Sequence, residues 1–149
     1  MFRRFRPSLS LSAKMKLPGG MHAGEAIRRA DETLLTLQET CLSGIDDALN
    51  RMEELIAAGK TSQMDLEGMY SVASSVIDLC GGVAQGGLET AARSLCDYVD
   101  RIGEGERLDQ RGVAVHVASM RLLHRTAATP AERQVVLDGL EQLSSLSGH

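Results

Sequence analysis

The sequence predicts an all-α fold, and three observations carry that reading. Aromatic residues make up only 3% of the 149 residues and tryptophan is absent. Alanine, leucine, arginine, glutamate, aspartate and methionine are abundant, a balance that favours helix because straight-chain residues lose little rotamer freedom there. Apolar residues also recur at steps of three and four through five separate segments, which is the period of a helix with one buried stripe. The length suits one domain with a single core.

Residues 1–23 stand apart from the rest. They are basic, contain several serines and are broken by Pro7 and by Pro18-Gly19-Gly20, so they are expected to form a disordered basic tail. Such a composition also suits an organelle transit peptide. Residues 24–147 are expected to form the helical domain.

Its first helix is expected from about Gly24 to Ala58. Ile27, Ala30, Leu34, Leu37, Cys41, Ile45, Ala48, Met52 and Leu55 draw one stripe about 50 Å long at 1.5 Å per residue. Most of these steps alternate as in a heptad, so the helix suits pairing with a second chain as well as packing in its own bundle. Gly59 fits the position just past the helix end, and Ser62 reads as the cap of a second helix, with Asp65 three residues on.

That second helix runs to about Leu79 on Leu66, Met69, Tyr70, Ala73, Val76, Ile77 and Cys80, and Gly81-Gly82 are expected to provide a left-handed exit. An elbow follows, with Gly86-Gly87 completing it. Leu88, Ala91, Ala92, Leu95, Tyr98, Val99 and Ile102 define a third helix ending near Gly103. Val113, Val117, Met120 and Leu123 place a fourth between about Leu108 and Thr126.

The last helix has the clearest start: Thr129 caps, Pro130 fits the first turn and Glu132 reaches back. Val136, Leu140, Leu143 and Leu146 form its apolar face. Five helices joined by short loops bury their stripes most simply as an antiparallel bundle of four with one additional helix.

Composition excludes several functions. The net charge of −4 hides an asymmetry: residues 1–24 hold five basic residues and no acid, leaving 11 basic against 20 acidic residues, a balance of −9. An acidic body lacks the footprint for nucleic acid. No apolar run approaches the roughly 20 residues of a membrane helix, so membrane insertion is not expected and the chain reads as cytoplasmic. Cys41, Cys80 and Cys96 form neither a disulfide framework nor a zinc motif and read as buried, reduced thiols.

The glycines between Cys80 and Leu88 invite comparison with a phosphate loop. Neither a preceding strand nor a following Lys-Ser or Lys-Thr is present, so nucleotide binding is not expected. His116 and His124 lie eight residues apart, roughly 12 Å along one helix, too far to share a metal without ligands from elsewhere. His116 sits among Val115, Val117 and Ala118 and reads as a half-buried histidine with a polar neighbour. No nucleophile motif or general acid–base pair emerges, and no cofactor is indicated.

"VIDLCGG", the elbow, "ARSLCDYVDR" and "VAVHVASMRLL" together resemble the helical bundles related to histidine phosphotransfer domains, over about residues 66–125. With "KLPGGM" before the long helix, most of the chain resembles the CheE-like chemotaxis proteins of alphaproteobacteria. The phosphotransfer family carries His-x-x-Lys-Gly on one helix. Here, with Gly81 on the motif glycine, Ile77 and Cys80 stand at the histidine and lysine positions; with Gly82 there, Asp78 and Gly81 do.

The resemblance therefore implies a non-catalytic regulatory protein of a chemotaxis or two-component system, docking a response regulator or kinase through a retained helical face. The residues expected at that face are Ile77, Asp78, Cys80, Gly81, Gly82, Gln85, Arg93 and Asp97, with small elbow residues admitting a partner's backbone. Two alternatives accompany it: a phosphotransfer protein using an exposed His116, and a structural protein that homodimerises through the long first helix.

Overall fold

A computed structural model describes residues 22–83, 86–124 and 127–146. Among them are five α-helices and no strand: α1 (Ala23–Gly59), α2 (Leu66–Cys80), α3 (Leu88–Gly103), α4 (Arg111–Leu123) and α5 (Pro130–Leu146). The expected tail lies, up to residue 21, outside the described residues. The chain divides into two units, residues 1–37 and 38–149, and α1 runs through the division.

In the first unit, residues 23–37 form helix with no buried position. Ion pairs one turn apart support it, Arg29 to Glu25 at 2.9 Å and Arg28 to Glu32 at 3.3 Å. The apolar stripe expected along all of α1 is therefore buried only in part. Ile45, Ala48, Met52 and Leu55 enter the core, whereas Ile27, Leu34 and Leu37 are exposed.

The second unit is the bundle. Its centre is α3, whose backbone approaches those of α2, α4 and α5, and Leu88, Ala91, Ala92, Leu95, Cys96, Tyr98 and Val99 are buried along it. Two adjacent alanines on an inward face permit that close packing. Larger side chains of α1, Ile45, Leu49 and Met52, reach into the same core. Gly44 of α1 lies against Leu79 of α2, and Arg121 of α4 bonds Glu53 at 3.1 Å and Asn50 at 2.8 Å. The C-terminal part of α1 with α2, α3 and α4 makes the four-helix core. The additional helix is α5, which packs on α3 and α4 and has only Leu140 buried.

Local signals place the helix starts. The α2 cap is Asp65, whose Oδ1 accepts from the Gly68 N–H at 2.9 Å, and not Ser62. Ser62 instead donates to the Ala58 carbonyl at 3.0 Å, closing the end of α1, so its hydroxyl is already committed. The capping box of α5 forms as expected: the Glu132 carboxylate accepts from the Thr129 N–H at 2.6 Å and Thr129 Oγ1 from the Glu132 N–H at 3.2 Å.

The left-handed exit expected at Gly81-Gly82 is absent. Gly81 continues in the right-handed region at φ −62°, so the helix closes by tightened turns in which Gly81, Gly82 and Val83 donate to the Asp78, Leu79 and Cys80 carbonyls. The positive φ of the elbow falls at Gly87, +87°, immediately before α3. There the residue type is dictated by backbone sterics.

Candidate functional site

The expected docking residues divide into an exposed set and a set spent on structure. Ile77, Asp78 and Arg93 line an open groove of about 410 Å³ between α2 and α3, together with Tyr70, Ser74 and Cys96. Helical spacing accounts for this assembly: Tyr70, Ser74, Ile77 and Asp78 follow one edge of α2, and Arg93 and Cys96 follow the facing edge of α3. Arg93 bonds Glu89 one turn away at 2.8 Å, which holds its guanidinium at the rim. Tyr70 is 44% accessible, and the part-buried Ile77 lies in a groove whose lining is mostly polar.

Asp97 belongs elsewhere. It lines a second groove, between α3 and α5, with Ser94, Leu137, Asp138 and Glu141, and its nearest cation is Arg101 at 4.0 Å. Arg93 and Asp97 are thus one turn apart but serve different grooves. Gln85 lies outside the described residues.

Cys80 is a correction. Cys80 is buried, and burial with the nearby Glu89 charge pushes its thiol up to about 11, so it offers neither a surface nor a ready thiolate. Gly82 is exposed, although a Cβ added there would point inward and meet Cys41 Sγ at 2.7 Å. A Cβ added at the exposed Gly86 or the part-buried Gly87 would meet Arg133 or Leu137. Arg133 donates to the carbonyls of Gly86 at 2.7 Å, Leu123 at 2.8 Å and Ala128 at 3.2 Å, fastening the elbow to the start of α5. The small residues of the elbow therefore admit this chain's own side chains, and Gly81 alone of its described glycines meets only its own helix's backbone.

His116 was expected to be half-buried and is fully buried. Its Nδ1 lies 2.7 Å from the Gly112 carbonyl, which only accepts, so Nδ1 carries the proton and Nε2 accepts from Ser94 Oγ at 2.9 Å. Desolvation holds its pKa below the ordinary histidine value, partly offset by the Gly112 bond. The Tyr98 ring packs 5.0 Å away, and its hydroxyl donates to the Asp109 carbonyl at 2.7 Å. The phosphotransfer alternative required an exposed imidazole, and here both ring nitrogens are engaged inside the core.

His124 is also buried, with Nε2 2.6 Å from Asp46 Oδ1. Neither this pair nor the Tyr98–His116–Ser94 knot was nominated from sequence, since each joins residues from different segments of the chain. Among the described residues no group of three or more histidines, cysteines and carboxylates is placed to hold a metal ion, and no helix is long and apolar enough to cross a membrane. Neither a protein-family model, nor a curated protein, nor a solved structure matches this chain significantly.

Proposed function

We propose that this chain is a non-catalytic docking protein of a bacterial chemotaxis or two-component system, receiving a response regulator or kinase on its α2–α3 face. The observation that carries the reading is the groove in which Ile77, Asp78 and Arg93 meet Tyr70. It combines an exposed aromatic ring, a part-buried aliphatic and two opposite charges at the rim, the composition of a small protein-binding patch. Ile77 and Asp78 are also the residues that stand where the resembling phosphotransfer bundles carry their histidine. Burial of His116 and the raised thiol pKa of Cys80 and Cys96 favour docking over group transfer.

The test is calorimetric titration of the full chain with chemotaxis response regulators, unphosphorylated and beryllofluoride-activated, and with the associated kinase. Binding is expected to weaken at least about tenfold in Arg93→Glu and in Tyr70→Ala, a loss of about 1.4 kcal/mol typical of an interface anchor. Absence of binding to every regulator and kinase, or equal binding by both variants, would remove the proposal.

A further inference from the structure

We infer that Ile27, Ala30, Leu34 and Leu37, on the N-terminal part of α1, form the contact surface for the same stripe of a second copy of this chain. The four residues follow the 3-4-3 spacing of a coiled-coil seam. Ile27, Leu34 and Leu37 remain 62%, 53% and 57% accessible, and no residue from 23 to 44 is buried. By the helical repeat they fall on the same side of α1 as Ile45, Ala48, Met52 and Leu55, which are buried. One apolar stripe thus serves the core over its second half and is left in water over its first.

Size and charge select the occupant. An aliphatic side chain of this kind presents on the order of 100 Å² of apolar area. Three on each of two copies, with the alanines and adjoining helix surface, approach the roughly 1,000 Å² at which a specific interface begins. That area matches a second helix of equal length and a reversible association. The helical repeat leaves Asp31 as the one charge beside the stripe, flanked otherwise by Ala26, Thr33, Gln38 and Thr40. Arg28–Glu32 and Arg29–Glu25 pair along the opposite side. With one carboxylate at its edge, the surface carries little charge to repel its own copy and provides no charge row for a strongly basic or acidic partner.

Sedimentation equilibrium of the full chain from about 10 μM to 1 mM, the range for a small interface, tests this. The mass is expected to rise from the 16.0 kDa monomer towards a dimer. Leu34→Asp and Leu37→Asp should each weaken association at least tenfold with circular dichroism unchanged, while Val135→Asp, at an exposed apolar residue of α5, should behave as wild type. Leu34→Gln adds no charge and keeps the test decisive should aspartate unwind the helix. A wild-type chain that stays monomeric throughout, whether its stripe is covered by its own N-terminal residues or by nothing, overturns the inference. So does association that Leu34→Asp and Leu34→Gln leave unchanged.

Discussion

At the scale of single residues the most constrained position is Gly112. A Cβ there would overlap the Tyr98 hydroxyl, while the Gly112 carbonyl holds His116 Nδ1 at 2.7 Å. The glycine is required by space, since it lies within a right-handed helix and supplies no unusual backbone angle. Gly112→Ala is therefore expected to cost about 1–3 kcal/mol, the range for forcing extra volume into a packed core. Adding Tyr98→Leu removes the hydroxyl and the ring carbons Cζ and Cε1, all of which the new methyl would meet, at the loss of the bond to the Asp109 carbonyl. The two changes should be less than additive by at least about 0.5 kcal/mol in a double-mutant cycle read by urea unfolding. Full additivity would mean that residue 112 does not press on the Tyr98 ring.

At the scale of elements, the two candidate caps of α2 separate cleanly. Asp65→Ala removes a carboxylate that accepts from the Gly68 N–H, and is expected to cost about 1 kcal/mol in chemical denaturation. Ser62→Ala, whose hydroxyl only supplements backbone bonds at the end of α1, should stay within about 0.5 kcal/mol of wild type. Equal losses would restore Ser62 as a cap. The five helices were legible because a 3.6-residue period and a capping box are local properties, written within a dozen residues. The preference for Asp65 over Ser62 was not, because it depends on which hydroxyl the preceding helix end has already claimed. The expected docking residues follow the same division. Ile77 and Asp78 were named through the resemblance and Arg93 from helical spacing, but that a Cβ at Gly82 would meet Cys41, and that Asp97 lines the groove beside α5, are set by contacts between segments distant in the chain.

At the scale of the whole molecule, the buried titratable groups set the pH range over which the bundle is most stable. Burial holds folded His116 below its ordinary value of 6.5. As pH falls through 6.5 the unfolded chain takes up a proton at this residue that the folded chain refuses, so unfolding gains and stability falls until the lower folded pKa is passed. Cys80 acts at the other end. Its thiol moves from 9.0 to about 11 in the fold, so above pH 9 the unfolded chain releases a proton that the folded chain retains, and stability falls again up to about pH 11. Cys96 is raised by its burial and adds in the same direction. The lowered carboxyls of Asp109 and Glu132 have ordinary values of 3.8 and 4.5, so on acidification their loss begins after that of His116, which starts at 6.5. A stability plateau between about pH 6.5 and 9 is therefore expected. In urea unfolding, the wild type should weaken from pH 7.5 to 5.5 by more than His116→Gln, whose amide can serve the Gly112 carbonyl and Ser94 without titrating. Cys80→Ala should flatten the decline from pH 9 to 10.5. A wild-type acid decline matched by His116→Gln would show that the buried imidazole does not govern this edge, and that the proton is taken up elsewhere in the chain.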